Sequence, residues 1–423
     1  MKRILVTISV VMVAAMILGA CAPATTDDPG TFEAPDVVPT EVPEPVAPFE
    51  CADAIGCVDY AADEPIRIAS ALVITGPNTQ LGLDSQYGVE IAIDFRGQVA
   101  GHDVELQAED DGCSAEGGQT AGQKIVSDPT IIGVIGTSCS GAGVPMSSVV
   151  SQAGYFMVSP SNTSPVLTDP DIAWNPGYLR TAHNDKVQGA AIADYAFNTL
   201  GLTTAAGIHD GDPYTEGLTN AFRNSFEALG GTIVAYTAVN VGDTDMRPVL
   251  TDVAAAGPPE FLYFPVFTAE CALLAKQAAE VAGLEDTVIA AADGCISDAA
   301  ALAIGEAGDG MFFSGPDISF AGELYVDFKA AYLETYGTET LSVFHAHAFD
   351  AANMIFDCIE AVGVSEADGT LHVGRDDMRT CLYATAGFDG ITGTLTCDAY
   401  GDCADPKISV SELVDGDYVK IWP

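Results

Sequence analysis

Short apolar runs alternate with amphipathic segments along most of this 423-residue chain, from about residue 65 onward. The first run, 66–74, is mostly apolar and predicts a buried strand. The segment after it places small or apolar residues at the i, i+3, i+4 and i+7 spacing of one helix face, at Gly88, Ile91, Ala92 and Phe95. The pattern therefore begins with a strand followed by a helix.

The same alternation recurs through the chain. Further strands are predicted at 104–107, 131–135, 155–158, 205–209, 233–236, 261–265 and 288–290. Helices are predicted at 115–126, 144–152, 187–200, 247–255 and 270–282, and Asp212-Pro213 supplies the N-cap and first-turn proline of another. Repeated strand–helix units are typical of an α/β fold with a parallel sheet between helices. The patterned region of about 360 residues exceeds what one such layer usually holds, so two lobes are expected.

The first twenty residues differ from this pattern. Lys2 and Arg3 precede an apolar run, 4–20, that is too short for an ordinary membrane-spanning helix and is typical of a secretory signal. The run ends in small residues before Cys21, which resembles the lipobox of bacterial lipoproteins. Residues 1–20 are therefore interpreted as a signal peptide and Cys21 as the lipidated first residue. An ordinary signal cleaved nearby is the alternative.

Residues 21–61 are rich in proline and acidic residues up to about position 48. Such a segment cannot bury a core, so it is expected to be an extended, self-repelling tether. No later stretch approaches the ~20 apolar residues of a membrane helix. The folded body is therefore expected to be exported and held by lipid at the outer face of the cytoplasmic membrane or elsewhere in the cell envelope.

The chain is strongly acidic, with 60 Asp and Glu against 15 Lys and Arg and a formal charge of −45. This charge makes nucleic acids and anionic membrane surfaces poor partners for the folded body. The acidic residues are spread along the chain, which indicates a solvated surface and says little about function.

Cysteine usage is consistent with export. Of 11 cysteines, ten remain without Cys21. They form sequence-near pairs that an oxidising compartment would keep as disulfides, and buried free thiols are the alternative for any one pair. The chain has no CxxC motif, which argues against a zinc cluster. The predicted pairs are Cys51–Cys57, Cys113–Cys139, Cys271–Cys295, Cys358–Cys381 and Cys397–Cys403.

Two loops rich in small and hydroxyl residues follow neighbouring predicted strands. The segment 133–143 is a strand end, a loop and a helix start, where free N–H groups and the Ser140 hydroxyl favour an anion. The next strand ends in the second such loop, 159–164. Neither loop brings a lysine or arginine, so the pair suits a carboxylate better than a phosphate. Plain N-capping is the alternative.

Two enzymatic interpretations are weak. Residues 136–140 loosely match a nucleophile elbow but lack its final glycine. His345 and His347 could ligate a metal from an extended segment, but a helix begins there and would point them apart. Neither an enzyme, a metal site nor a cofactor is predicted.

At these loops the chain resembles the type I periplasmic binding proteins of ABC transporters, specifically the leucine/isoleucine/valine-binding family, from about Ile66 to Ile421. The strongest motifs are Asp110-Asp-Gly-Cys113, Gly136-Thr-Ser-Cys-Ser140 and Ser159-Pro-Ser-Asn-Thr163. Supporting motifs are Thr75-Gly-Pro77, Gly82, His209-Asp210 with Tyr214, Glu216-Gly-Leu218, Phe349-Asp-Ala351, Gly390-Ile-Thr-Gly393 and Cys397-Asp398.

The resemblance implies a set of ligand-binding residues. In the first lobe, Ser140 and Thr163 would hold the ligand carboxylate, and Ser161 would offer its carbonyl to the ammonium group. Tyr214 takes the place of the cleft tyrosine of the second lobe, and Leu81 that of a wall residue.

This chain departs from the family's pattern at two of the implied positions. Phe267 stands where tyrosine is common, and Asp293 stands where the family has a glutamate for the ammonium group, after a one-residue insertion. These departures leave the ligand's side chain open. Asp293 could instead cap a helix that begins near Ser297.

The resemblance also implies two Rossmann-like lobes joined by three crossovers, placed near 181, 315 and 405. One lobe would comprise 62–181 plus 316–404, and the other 182–315 plus 405–423. A monomer is expected that binds a small, branched-chain-like amino acid by lobe closure and delivers it to an ABC permease. The alternatives are a sensory ligand-binding protein, or a binder of an amide, urea or a small carboxylate.

Replacing Cys21 tests the lipid anchor. The wild-type protein is expected in the membrane fraction of an expressing bacterium, and Cys21→Ser in the soluble fraction, because the lipid is the only predicted attachment. A Cys21→Ser protein that stays with the membranes would show that the lipobox interpretation is wrong.

Overall fold

A computed structural model describes residues 49–423. The predicted signal peptide, Cys21 and most of the predicted tether lie outside the described residues. Within 49–423, no helix is long and apolar enough to cross a membrane.

The strands belong to two large sheets and two small ones. In chain order they are β1 (Cys57–Tyr60), β2 (Ile66–Leu72), β3 (Gln98–Val99), β4 (His102–Asp110), β5 (Ile131–Gly136), β6 (Met157–Ser159), β7 (Tyr178–Arg180), β8 (Thr204–His209), β9 (Thr232–Ala238), β10 (Phe261–Tyr263), β11 (Val288–Ala292), β12 (Phe312–Pro316), β13 (Val364–Ser365), β14 (Leu371–Gly374), β15 (Ala386–Gly390), β16 (Gly393–Thr396), β17 (Ile408–Val414) and β18 (Asp417–Trp422).

Most helices follow a strand and pack on a sheet. They are α1 (Thr79–Arg96), α2 (Ala115–Val126), α3 (Ser140–Gln152), α4 (Asp185–Asp194), α5 (Pro213–Ala228), α6 (Arg247–Ala256), α7 (Thr268–Ala278), α8 (Asp298–Ile304), α9 (Glu323–Tyr336), α10 (His345–Val362) and α11 (Arg375–Tyr383). A π-helical turn, Tyr195–Thr199, extends α4, and short 3₁₀ helices span Pro165–Thr168, Asp293–Cys295 and Gly305–Gly308.

Each large sheet has a parallel core. The first has the order β3-β4-β2-β5-β6-β7, with only β3 antiparallel to its neighbour. The second has the order β18-β17-β12-β11-β10-β8-β9, with β17 and β18 antiparallel at one edge. The chain passes between the sheets three times: from β7 to β8, from β12 to α9 and from β16 to β17. The predicted fold of two α/β lobes is confirmed, while the residue-level lobe bounds stay a prediction.

The central strands are apolar because helices cover both faces of each sheet. All six residues of β5 are buried. Its Ile132 and Ile135 belong to one core with Phe156 of the β6 region and with Phe349 and Ile355 of α10. A rigid core under β5 and β6 fixes where the loops after these strands lie.

The pattern located the helices and strands well, with two differences at the first lobe's loops. The helix predicted from residue 144 begins already at Ser140, because small residues that carry no apolar pattern form its first turn. The strand predicted at 155–158 is Met157–Ser159. Asp212 caps α5 as predicted, since its side chain accepts the Tyr214 N–H.

The predicted tether bound at residue 61 is wrong. β1 pairs antiparallel with β14, and Tyr60 is 2% exposed. Phe49 stacks on His372 with ring centroids 4.0 Å apart. Residues 49–61 therefore belong to the folded body. The strand is short and pairs with residues more than 300 positions away, so no local pattern marks it beside the proline-rich segment.

All five predicted disulfides of the body are present. Cys113–Cys139 joins the loop after β4 to the residue that precedes α3. It therefore braces the first of the two hydroxyl-rich loops, 133–143, against the loop after β4.

Removing this bond is expected to destabilise the protein. The variant Cys113→Ala/Cys139→Ala should lose roughly 3 kcal/mol of unfolding free energy, since the bond closes a loop of sequence separation 26. Cys51→Ala/Cys57→Ala, with a separation of 6, is the control and should lose less. Denaturant titration measures both. Free thiols at 113 and 139 in non-reducing peptide maps of the wild type would contradict the bond itself.

Candidate functional site

A closed cleft lies where loops of both large sheets meet. It encloses about 10 Å³, so a leucine-sized ligand can enter only when the lobes or side chains move apart. Six of the seven predicted ligand-binding residues line it. The lining residues are Leu81, Ser138, Cys139, Ser140, Ser161, Tyr214, Phe267, Asp293, Gly294 and Phe344.

The start of α3 provides anion-binding groups. The N-cap residue, Cys139, makes no side-chain cap, and its carbonyl accepts the N–H groups of Ala142 and Gly143 at 3.1 and 3.0 Å. The N–H groups of Ser140 and Gly141 precede these in the first turn, where a helix N-terminus attracts a carboxylate. The Gly141 N–H already faces the Asp212 carboxylate, which leaves the Ser140 N–H for a ligand. The Ser140 Oγ accepts the Ser164 N–H at 3.2 Å and keeps its own proton to donate.

The loop after β6 is tied to the loop after β5. The Ser161 hydroxyl donates to the Ser138 carbonyl at 3.0 Å, and the Asn162 amide donates to the Thr137 carbonyl at 2.9 Å. Thr163, the seventh predicted residue, is fully buried beside them. Its Oγ1 has no hydrogen-bond partner among the described residues. Thr163 lies beside Asp185 of the second lobe: its carbonyl accepts the Asp185 N–H at 2.9 Å, and its hydroxyl acts to lower the pKa of the Asp185 carboxyl group. It lies outside the cleft lining.

A buried arginine, which sequence reasoning missed, holds the loop after β6. Arg180, at the end of β7, is fully buried. Its guanidinium donates to the carbonyls of Asn162 and Ser164, at 3.2 and 2.8 Å, on either side of Thr163. Asp402 neutralises it in an ion pair. The sequence offers only a strand-end arginine as a signal.

Asp293 lies across the cleft in the second lobe, directly after β11. Its Oδ1 accepts hydrogen bonds from the Gln188 amide at 2.6 Å and from the Tyr214 hydroxyl at 3.2 Å. Burial raises the pKa of Asp293 to about 6, although these two donors act to lower it. The alternative role as a helix cap is wrong, because Ser297 caps α8 through its bond from the Ala300 N–H.

Aromatic and apolar side chains surround this carboxylate. The rings of Tyr214 and Phe267 lie 5.3 Å apart at a 45° tilt. The Tyr214 hydroxyl also accepts the Gly294 N–H at 3.1 Å. Leu81 and Phe344, which belong to the first lobe, line the same cavity. The site therefore combines a desolvated acid with aromatic faces, which suits a small cation.

Asp185 is a second acid at the site that sequence reasoning missed. It is fully buried at the start of α4, and neither carboxylate oxygen has a hydrogen-bond partner among the described residues. Burial and the nearby charge of Asp293 raise its pKa well above the ordinary range, against the effect of the Thr163 hydroxyl. In the sequence it follows the N-cap Asn184, and an acid in the first turn of a helix ordinarily only interacts with the helix dipole.

The two enzymatic candidates have structural roles. The Ser138 Oγ accepts the Val73 N–H at 3.0 Å, and His345 is buried between Asp84 and Tyr325, at 3.1 Å from each. His347 is buried as well. Within residues 49–423, no group of three or more His, Cys, Asp or Glu side chains is placed to hold a metal ion.

Comparison with known proteins agrees with this geometry. A family model described as periplasmic binding protein matches residues 65–415. The chain is 29% identical over 366 residues to Leu/Ile/Val-binding protein homolog 3 of Brucella melitensis, covering 85% of this chain and 94% of that protein. It is 28% identical to a leucine-, isoleucine-, valine-, threonine- and alanine-binding protein of Pseudomonas aeruginosa, covering 84% of this chain and 92% of that protein.

A solved structure supports the same assignment. The crystal structure of a leucine-binding protein from Thermotoga maritima superposes with a TM-score of 0.75 and 25% identity, covering 84% of this chain and 97% of that one. Proteins of this family bind solutes outside the cytoplasm and are not enzymes. This chain belongs to the periplasmic binding protein family, on the type I, leucine/isoleucine/valine-binding branch.

Proposed function

We propose that this protein is the substrate-binding lipoprotein of an ABC importer and carries a small, branched-chain-like amino acid to its permease. The observation that carries the proposal is the pairing of two opposite charge preferences across one cleft. In the cleft lining, Ser140 of the first lobe offers a donor to a carboxylate, and Asp293 of the second offers an acceptor to an ammonium group. Thr163 and Asp185, which are buried and contact each other, lie outside that lining and would add a donor and an acceptor when the lobes part. A zwitterion needs both when closure removes it from water.

The rest of the proposal concerns how the protein works. Cys21 would anchor it by lipid to the cell envelope, and the acidic segment up to residue 48 would hold the body away from the membrane. The protein would act as a monomer whose lobes close on the ligand, and the permease would recognise the closed form. The relatives are named for leucine, isoleucine and valine, which supports the choice of ligand.

A thermal-shift screen of amino acids, amides, urea and small carboxylates tests the ligand class. An amino acid present at a hundred times its Kd should stabilise the fold by about 2.7 kcal/mol. If only amides, urea or simple carboxylates raise the melting temperature, the amino-acid assignment is wrong.

Ser140→Ala is expected to weaken binding of the best amino acid by roughly ten- to a hundredfold, because a hydrogen bond to a charged group contributes about 1.5–3 kcal/mol. Isothermal calorimetry measures the change. Ser148→Ala, on the same helix but outside the cleft lining, is the control and should bind like the wild type. Unchanged affinity in Ser140→Ala would place the carboxylate elsewhere.

Asp293→Asn and Asp185→Asn are each expected to weaken amino-acid binding by about ten- to a hundredfold, but to spare the deaminated analogue. The exposed Asp298 provides the control variant, Asp298→Asn. Because the pKa of Asp293 is raised to about 6, wild-type affinity for the amino acid should also decline as pH falls through 6 and a proton replaces the ammonium group. Calorimetry with leucine and 4-methylpentanoate separates the two ligands. Equal binding of both by wild type and variants would mean that the ligand carries no ammonium group.

A further inference from the structure

The start of α5 in the second lobe touches the start of α3 in the first. Asp212 uses Oδ1 to cap α5, accepting the Tyr214 N–H at 2.8 Å. Its other oxygen, Oδ2, lies only 2.0 Å from the position that a Cβ on Gly141 would occupy. Real Cβ atoms do not come this close to another atom, so glycine alone leaves room for the carboxylate at this position.

Neighbouring hydrogen bonds show that this contact belongs to the closed arrangement. Beside it, the Ser164 hydroxyl of the first lobe donates to the Pro213 carbonyl of the second at 2.7 Å. Elsewhere between the lobes, the Ala299 N–H donates to the Gln80 side chain at 2.8 Å. These bonds join helices and loops of different sheets, so separation of the lobes would break them together with the Asp212–Gly141 contact.

The charges around Asp212 make its contact with Gly141 sensitive to pH. Burial and the facing carboxylate of Asp210 raise the pKa of Asp212 to about 7, while the N–H groups of Tyr214 and Gly141 act to lower it. Asp185, at the start of α4, adds a third acid to this neighbourhood. The first turn of α3 contributes backbone N–H groups and no charged side chain. Once the lobes separate, water would return the carboxyl to an ordinary pKa.

We propose that Asp212 is an interlobe latch, whose carboxyl group docks on Gly141 at the start of α3 when the lobes close and holds the closed, ligand-retaining form. The inference rests on the function proposed above, since it assumes lobes that open and close around a ligand. Asp212 is a positioning residue in this scheme: it is absent from the cavity lining and acts by holding Ser140 and Tyr214, which are in that lining, in place.

A steric wedge and its rescue test the contact. Gly141→Ala should weaken ligand binding by about tenfold or more, because the added methyl group overlaps Asp212 only in the closed form. Asp212→Ser keeps a capping hydroxyl for α5 but withdraws the carboxyl group, and should lose only a few-fold in affinity. The double variant Gly141→Ala/Asp212→Ser should then bind about as well as Asp212→Ser. Wild-type affinity in Gly141→Ala, or a double variant no better than Gly141→Ala, would overturn the latch.

The pH dependence of affinity is a second test, because a purely steric role of Asp212 would not affect it. A pKa of about 7 in the closed form against about 3.9 in an open, hydrated form makes the closed form bind protons more tightly, so closure is favoured as pH falls. From Asp212 alone, wild-type affinity should be up to about fourfold higher at pH 6.5 than at pH 8.5, and the partial protonation of Asp293 at the lower pH reduces this gain only slightly. Asp212→Ser should lose this difference, and Glu216→Gln, an exposed change in the first turn of α5, should keep it. The same pH profile in Asp212→Ser and wild type would contradict the proposal.

Small-angle scattering of the ligand-free protein separates the latch from the ligand assignment. The wild type should be more compact at pH 6.5 than at pH 8.5, and Gly141→Ala equally extended at both. If this pattern appears and no amino acid binds, the latch stands and the ligand assignment falls. If amino acids bind and the pattern is absent, the latch is wrong and the proposed function stands.

Discussion

The ligand-facing loop of the first lobe depends on one buried cation, Arg180. A buried guanidinium must be neutralised and hydrogen-bonded, and Arg180 meets these needs through Asp402, the Thr168 hydroxyl at 2.9 Å and two loop carbonyls. Although burial alone would raise the pKa of Asp402, its bond and charge contact with Arg180 lower it, so the pair stays ionised. The carbonyls on either side of Thr163 are thereby held, which fixes the backbone of this loop.

Three acids of the second lobe lie in or beside the cleft, and of these Asp293 belongs to its lining. Asp185, Asp212 and Asp293 come from three different segments of the second lobe's half of the site, and burial raises the pKa of each. A buried carboxylate is stabilised by a nearby positive charge or by a proton, because either offsets the hydration that the carboxylate loses when the lobes close. The Gln188 amide ties Asp293 to α4 and so links the acid to the helix that carries Asp185.

The same architecture explains why hydroxyl-rich loops do not amount to catalysis here. The Ser138 hydroxyl accepts the Val73 N–H, the Ser161 hydroxyl donates to the Ser138 carbonyl of the other loop, and His345 is buried against Asp84. Hydrogen bonds join the two loops, and the Cys113–Cys139 disulfide ties the first of them to the loop after β4, so the donors are held at set positions. A preorganised set of donors binds a carboxylate with little cost of reorganisation, which is the requirement of a binding protein.

The family resemblance implied six of the residues that line the cleft. Local sequence patterns determined the α/β class, most strand and helix positions and the disulfide pairs. They could do so because apolar periodicity, helix caps and the motif at 136–140 are properties of neighbouring residues. The tertiary structure alone decided the rest. β1 pairs with a strand more than 300 residues away, Arg180 finds Asp402 across 222 positions, and Asp212 meets Gly141 only because two lobes touch. A buried charge takes its meaning from the partners that the fold brings to it, so Asp185 looks like an ordinary helix-start acid until its burial without a partner is seen.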